Sequence, residues 1–193
     1  MTMLPLTLPF YKGKKGTQGA IQFNLQRPHY YAKNNPKLKN YDGRYIPDTQ
    51  DYVEWQGIQE KDLTSREGCV FMEITSTKEA DVYDWDNKIV MALSVNDLGK
   101  LLSLLTGNKA KPDVAGGGEE SFVHDPSMGK ADQGKVMKVL TVSSPKGLKV
   151  GCCFNAYMKK EGKETKHFVN LNGDDVVILR ECIRSVIPKC LAW

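Results

Sequence analysis

The sequence predicts an α+β domain in which a group of antiparallel strands is followed by a helix, twice along the chain. Stretches in which polar and apolar residues alternate precede each of two helical stretches. Strands are therefore grouped together, whereas an α/β fold would alternate strand and helix. Of the 193 residues, 40% are apolar and 26% charged, which is typical of a folded globular chain and excludes disorder as the main state.

Three strands and one helix are predicted in the first half. Polar and apolar side chains alternate over 19–25, and apolar-rich strands follow at 69–75 and 88–93. Ser94 begins the first helix, with an aspartate three positions later as in a capping box, and Gly107 ends it. The apolar stripe of this helix consists of Val95, Leu98, Leu101, Leu102 and Leu105. The Pro-, Asn- and Tyr-rich stretch 28–66 lacks a clean period and is predicted to be a long excursion, with one candidate strand near 52–55.

The second half repeats this plan. Further strands are predicted at 121–124, 136–142, 150–158 and 167–171, with a turn at 159–164. Asn172 is predicted to cap a final helix, with Asp175 at the third position and Pro188 close to the end. The apolar stripe of this helix consists of Val176, Leu179, Ile183, Val186 and Ile187. This helix is too apolar for a lone surface helix and is predicted to pack in a subunit interface.

Charge is distributed unevenly along the chain. The net charge is +4, but residues 1–50 carry a net +6 and residues 51–100 a net −6. This asymmetry favours either an electrostatically directed binding surface or a solvated face without a partner. No run approaches the roughly 18 apolar residues of a membrane-spanning helix, so no membrane partner is predicted.

Motifs for catalysis, metal binding and cofactor binding are not found in the sequence. There is no P-loop, no GxGxxG after a strand, no HExxH and no GxSxG. The five cysteines form no CxxC and are predicted to be reduced and buried. None of the three histidines has ligand spacing to a cysteine, and the aspartates at 81, 84 and 86 lack the spacing of a calcium loop. The sequence therefore predicts a protein that is not an enzyme and holds no cofactor or metal.

Basic residues cluster in three places, and in two of these they are interleaved with aromatic residues. Residues 10–16 read FYKGKKG, residues 30–45 interleave tyrosines with Lys and Arg, and three lysines lie at 130–138. Single-stranded nucleic acids bind to such mixtures, because cations meet the phosphates and aromatic faces stack on the bases. These clusters, in a chain without a catalytic motif, favour nucleic-acid binding.

Several blocks of the sequence resemble the Whirly family in order and spacing. They are YDWDNKIVMALSV at 83–95, FVHDP at 122–126, GKADQGKV at 129–136 and the ending IPKCLAW at 187–193. Residues 11–14, YKGK, are similar to the start of the family's Lys-Gly-Lys-Ala-Ala-Leu signature. The resemblance covers most of 82–193 and, more loosely, 10–25.

The resemblance implies a fold of two antiparallel four-stranded sheets packed across each other, with two helices that form the core of a homotetramer. It also implies sequence-tolerant binding of single-stranded DNA in plastids or mitochondria, in genome maintenance or transcription. A related trypanosome branch binds guide RNA. For a protein of either organelle, we expect the targeting segment to be missing from this numbering.

The chain departs from the family pattern in three places, within a single predicted domain over 1–193. Residues 15–19 separate Lys14 from Ala20 and break the signature, so its lysines are expected on a hairpin-like arm. Residues 28–66 and 107–119 are predicted insertions. These departures motivate an alternative function, namely an RNA-binding structural subunit of an organellar ribonucleoprotein such as a mitochondrial ribosome.

The resemblance and the clusters together give a set of candidate binding residues. Predicted phosphate contacts are Lys12, Lys14, Lys15, Lys88, Lys130, Lys135 and Lys138. Predicted stacking faces are Tyr11, Phe23, Tyr83 and Trp85. Core packing is the alternative for Tyr83 and Trp85, and solvation of an outward strand face is the alternative for Lys135 and Lys138.

Overall fold

A computed structural model describes seven stretches of the chain, which contain eleven strands and two α-helices. The described stretches are 7–13, 18–26, 29–32, 63–66, 68–108, 118–124 and 136–191. The first sheet consists of β1 (Thr7–Tyr11), β2 (Gly19–Gln26), β5 (Cys69–Glu79), β6 (Val82–Tyr83) and β7 (Ile89–Leu93). Its strand order is β1-β2-β5, and both β6 and β7 pair with β5. A separate antiparallel pair is formed by β3 (His29–Ala32) and β4 (Leu63–Arg66).

The second sheet is a simple antiparallel meander. It consists of β8 (Glu119–His124), β9 (Val136–Ser143), β10 (Gly151–Lys160) and β11 (Lys163–Asn172), in the order β11-β10-β9-β8. The turn predicted at 159–164 is too wide, since both strands continue to a two-residue connection at Glu161 and Gly162. Both residues have positive φ, 49° and 80°, and a two-residue hairpin turn of this kind favours glycine.

Each sheet is followed by one helix, and both predicted N-caps are confirmed. Helix α1 (Val95–Leu105) begins after Ser94, and α2 (Gly173–Cys190) begins after Asn172. Both starts are capping boxes. The side chain of the N-cap residue accepts a hydrogen bond from the backbone N–H of the third helical residue, and the carboxylate of that third residue accepts one from the backbone N–H of the N-cap residue. Pro188 lies inside the last turn of α2.

The core lies between the inner faces of the two sheets and the two helices. Strand β11 packs against β5 and β2, so the second sheet meets the first along this strand. Fully buried residues from both sheets and from α1 include Ile21, Met72, Ile74, Met91, Leu101, Leu140 and Phe154. Two antiparallel sheets and two helices confirm the predicted α+β class, and β6 is a short fifth strand in the first sheet.

Four strands were not predicted from the sequence, namely β1, β3, β4 and the two-residue β6. Strand β1 contains Pro9, which interrupts the usual strand pattern but is tolerated because β1 pairs only with β2 among the described strands. Strands β3 and β4 fall in the predicted excursion 28–66, where no period indicated them. The candidate strand at 52–55 and most of the predicted insertion 107–119 lie outside the described residues.

Buried thiols agree with the sequence-based expectation for two of the cysteines. Burial raises the pKa of Cys152 to about 12 and that of Cys190 to about 11, so both thiols are neutral at physiological pH. Among the described residues, no three His, Cys, Asp or Glu side chains are grouped so that they could hold a metal ion. Neither described helix is both long and apolar enough to cross a membrane.

Candidate nucleic-acid interface

Three of the predicted stacking residues lie together at one end of the first sheet. The ring centroids of Tyr11 and Tyr83 are 5.3 Å apart with their planes inclined by 44°, and those of Tyr83 and Trp85 are 6.4 Å apart at 50°. Tyr11 is 54% exposed, and the other two side chains are partly exposed. We call these three side chains the aromatic cluster. The cluster as a whole is therefore partly accessible to solvent.

The hairpin of β1 and β2 places Tyr11 in the aromatic cluster. Tyr11 is the last residue of β1 and faces outward, whereas the preceding Phe10 points into the core. It is paired with Ala20, which is completely buried. The chain then passes close to the β5–β6 turn, because a Cβ atom on Gly13 would lie only 1.9 Å from Asp81 Oδ1.

Trp85 begins a 3₁₀ turn that is fastened to β5 by backbone and side-chain hydrogen bonds. The turn spans Trp85–Asn87. The N–H of Asp84 donates to Ser76 O at 2.9 Å, and the hydroxyl of Thr75 donates to Asp84 O. Within the turn, the Asn87 side chain donates to Asp84 Oδ2 at 2.8 Å. The turn therefore holds Trp85 in a fixed position relative to β5.

The carboxylate of Asp84 takes part in hydrogen bonds within this turn. The hydrogen bond from Asn87 and the ammonium of Lys78 hold the pKa of Asp84 below its usual value. Its buried Oδ1 makes no hydrogen bond of good geometry, but Lys78 Nζ lies 2.9 Å away and neutralises it. The nearby Asp86 side chain is 92% exposed.

The described candidate lysines all have partners within the protein. Lys12 forms an ion pair with Asp175, the third residue of the α2 capping box. Lys88 Nζ lies 2.9 Å from Glu73 Oε2, with about a third of its side chain exposed. A phosphate approaching either ammonium would therefore compete with a carboxylate.

Lys138 does not face solvent as either sequence-based alternative required. It lies on the inner face of β9 together with Leu140, and its Nζ donates to Val90 O at 2.7 Å. Burial lowers the pKa of its ammonium. Val90 belongs to β7 of the first sheet and Lys138 to β9 of the second, so this hydrogen bond links the two sheets.

The predicted stacking role of Phe23 is wrong for the folded chain. Phe23 is 6% exposed and lies edge-on between Phe10 and Phe154, at centroid distances of 6.4 and 6.0 Å. A ring enclosed in this way has no face free for a base. The alternation over 19–25 already placed Phe23 on the apolar side with Ile21, which was the signal for its burial.

Four candidate lysines lie outside the described residues and stay predictions, namely Lys14, Lys15, Lys130 and Lys135. One residue that sequence reasoning missed is Lys78, whose half-exposed ammonium lies beside the turn that carries Trp85. The predicted strand 69–75 ended too early to place it, and β5 in fact continues to Glu79.

A second aromatic and basic group was also missed, on the outer face of the second sheet. Lys166 Nζ lies 5.5 Å from the centroid of the Tyr157 ring, and the Tyr157 hydroxyl donates to Glu164 at 2.9 Å. Phe168 is 39% exposed on the same face. Lys166 falls just before the predicted strand 167–171, and nothing in the sequence indicated that these residues form a group.

The Whirly resemblance of the sequence blocks is supported by a match to a family model. The family model described as Whirly transcription factor matches residues 52–181. The chain belongs to the Whirly family. Whirly proteins are nucleic-acid-binding proteins without enzymatic activity, in agreement with the prediction that this chain is not an enzyme.

Curated Whirly relatives come from plants. The chain is 30% identical over 132 residues to the single-stranded DNA-binding protein WHY1, chloroplastic, of Solanum tuberosum, an alignment of 67% of this chain and 44% of that protein. It is also 30% identical to the protein of the same name from Arabidopsis thaliana, over 67% of this chain and 46% of that protein. The chain thus spans somewhat under half the length of these relatives.

Solved Whirly structures share the fold. The plant transcriptional regulator PBF-2 superposes with a TM-score of 0.68 at 22% identity, covering 100% of this chain and 86% of that one. The crystal structure of WHY1 from Arabidopsis thaliana gives the same TM-score at 21% identity, with 89% of that chain covered. The arrangement of two sheets and two helices in this Whirly chain is therefore that of the family.

Proposed function

We propose that this Whirly chain binds single-stranded DNA with little sequence specificity and that the aromatic cluster is a base-stacking surface. The grouping of Tyr11, Tyr83 and Trp85 at an exposed end of the first sheet is the observation that carries the proposal. The names of the plant relatives, which describe single-stranded DNA-binding proteins, support it. Stacking tolerates any sequence because every base has a π face.

The charges around the aromatic cluster fit a surface in which stacking outweighs phosphate contacts. Lys78 contacts the turn that carries Trp85 and Lys88 directly follows that turn, but each is paired with a carboxylate. A phosphate must displace that carboxylate, so each lysine contributes less affinity than an unpaired one. Binding through these lysines should therefore depend only moderately on salt.

The helices are the proposed site of assembly into a homotetramer. On α2, Val177 and Ile178 are 47% and 49% exposed, although both are large and apolar. Burying them against other copies would remove apolar area from water. Several linked copies would also raise the avidity for a long single strand.

The proposed place of action is the plastid, in maintenance or transcription of its genome, with the mitochondrion as the other organelle that the resemblance implied. The chloroplastic names of the relatives support the plastid. A structural subunit of an organellar ribonucleoprotein is the competing hypothesis, and the choice of ligand in a binding assay separates the two.

A competition titration with the full chain tests the proposed function. Labelled oligo-dT would be challenged with unlabelled DNA of mixed sequence, RNA of the same length and duplex DNA. We expect mixed single-stranded DNA to compete about as well as oligo-dT, and duplex DNA to compete poorly. Preference for one RNA, or equal binding to duplex, would overturn the proposal.

A further inference from the structure

We propose that His167 is a positioning residue for the aromatic cluster: from the second sheet, it fixes the turn that presents Trp85 to bases. The inference rests on the proposed function, since it explains how the stacking surface is kept in shape. His167 itself is 6% exposed and offers no surface to a ligand.

The imidazole of His167 is hydrogen-bonded on both of its nitrogen atoms. Nε2 lies 2.8 Å from Asn87 O, and Nδ1 lies 2.8 Å from Ser76 Oγ. Because a carbonyl oxygen only accepts, Nε2 must carry the proton and donate to Asn87. In the neutral ring Nδ1 is then the acceptor, and the hydroxyl of Ser76 donates to it. This network fixes one tautomer and one ring orientation.

The two partners of His167 belong to the two ends of the segment that holds Trp85. Ser76 accepts, through its carbonyl, the N–H of Asp84 just before the 3₁₀ turn. Asn87 is the last residue of that turn. Asp84 is thus held by β5 of the first sheet, and Asn87 is held by β11 of the second. Trp85 lies between the two attachments, so the turn cannot tilt without breaking one of them.

A buried histidine is suited to this position because it combines ring volume with two polar contacts. An apolar ring of similar size would fill the space but leave Asn87 O and the Ser76 hydroxyl without this partner in a partly buried position. Movement of the turn toward solvent would then be favourable, because water could replace the lost hydrogen bonds. Such a movement would change the approach of Trp85 to Tyr83, now 6.4 Å at 50°. A stacking surface that is no longer preorganised binds bases more weakly.

The test compares His167→Phe with His167→Gln in the full chain. Gln can still donate to Asn87 O, whereas Phe keeps the ring volume and donates nothing. Both would be made where Trp85 is the only tryptophan, with Trp55 and Trp193 changed to Phe. The readouts are affinity for oligo-dT, its salt slope, and Trp85 emission and acrylamide quenching without DNA. Val142→Ala, a core change in the second sheet, is the control for general destabilisation.

We expect His167→Phe to weaken oligo-dT binding about tenfold, within the range for losing one stacked base, with an unchanged salt slope. Trp85 should become easier to quench, and His167→Gln should recover most of the affinity and protection. Val142→Ala should lower stability and leave both readouts unchanged. The inference is overturned if His167→Phe keeps the affinity and quenching of the parent, or if Val142→Ala changes them equally.

Two further comparisons cover a His167→Phe variant that does not fold and a parent chain that does not bind DNA. If His167→Phe does not fold, Ser76→Ala removes the other hydrogen bond while the histidine stays, and a smaller increase in Trp85 quenching is expected. An unchanged Trp85 signal in that variant would overturn the inference. If the parent chain fails to bind oligo-dT, the proposed function fails by itself. The quenching comparison without DNA then still decides whether His167 positions Trp85.

Discussion

The rings of Tyr11 and Tyr83 lie 5.3 Å apart, although one ends β1 and the other ends β6. The contact joins the two parts of the sequence that resembled the Whirly family separately, the YKGK block near the start and the YDW block before β7. The same contact contributes to raising the pKa of Tyr83, after burial and the charge of Asp81. Both blocks therefore contribute to one surface.

Removing the indole of Trp85 should weaken DNA binding without changing its ionic component. Trp85→Ala is expected to cost about 1–3 kcal/mol in binding to oligo-dT, the usual value of one base stacked on an aromatic side chain. The salt slope should stay the same because no cation is removed. Fluorescence anisotropy at several salt concentrations measures both quantities.

Phe168→Ala is the matched control for Trp85→Ala. Phe168 is a partly exposed aromatic residue on the outer face of the second sheet, whereas the aromatic cluster belongs to the first sheet and the turn after β6. Its removal should leave oligo-dT affinity within about twofold of the parent, a difference well under 1 kcal/mol. A larger loss at Phe168 than at Trp85 would place the stacking surface on the second sheet instead.

Removing the charge of Lys88 should affect DNA binding, whereas removing the charge of Lys138 should affect stability. Lys88→Gln should lower the salt slope for single-stranded DNA by about 0.7, the contribution of one phosphate contact. Lys138→Met should leave the slope unchanged and lower the free energy of unfolding by about 1–2 kcal/mol, because the hydrogen bond to Val90 O is lost. Salt titrations and urea unfolding distinguish the two. A reduced salt slope in Lys138→Met would contradict this account, because it would show that the Lys138 ammonium contacts the DNA.

Acid should weaken the turn that carries Trp85. The pKa of Asp84 is lower in the folded chain than in the unfolded one. Its contribution to stability is therefore present above the ordinary carboxyl pKa of about 4 and is lost as pH falls through the lower, folded value. Between pH 5 and pH 3, roughly the range around that pKa, the parent should lose more stability than Asp84→Asn, as measured by urea midpoints. Equal losses in both proteins would show that Asp84 is not responsible.

Both capping boxes should matter for stability and not for binding. Ser94→Ala and Asn172→Ala each remove a side chain that accepts from the third residue's N–H. Each should lower the free energy of unfolding by about 1 kcal/mol. Thermal unfolding measures this change. Ser94→Thr, which keeps the hydroxyl, should be close to the parent, and a full loss in that variant would mean that packing rather than capping stabilises α1.

Local patterns predicted the strands with regular alternation and both helix starts, because each depends on residues close in sequence. The strands at 19–25 and 136–142 and the caps Ser94 and Asn172 are of this kind. Strand β1 was missed because it is defined by pairing with β2, and Pro9 hides its pattern. The length of β10 and β11 was underestimated because the charged ends of an extended hairpin resemble a loop in composition.

The candidate site was predicted in part for the same reason. Residue type identified Tyr11, Tyr83 and Trp85 as aromatic faces, but only the fold shows that they are neighbours. Residue type misled at Phe23 and Lys138, since burial and an inter-sheet hydrogen bond depend on partners far away in the sequence. His167 gave no signal at all, because its partners come from β5 and from the turn before β7.

Photocrosslinking with halogenated DNA tests the central claim most directly. Oligonucleotides in which thymine is replaced by 5-iodouracil would be irradiated in complex with the full chain, and the modified peptides identified by mass spectrometry. Iodouracil crosslinks efficiently to an aromatic ring on which it stacks. We expect crosslinks at Tyr11, Tyr83 or Trp85, and their loss when the corresponding residue is changed to alanine. Crosslinks confined to other aromatic residues, such as Tyr157 or Phe168, would contradict the assignment of the aromatic cluster as the stacking surface.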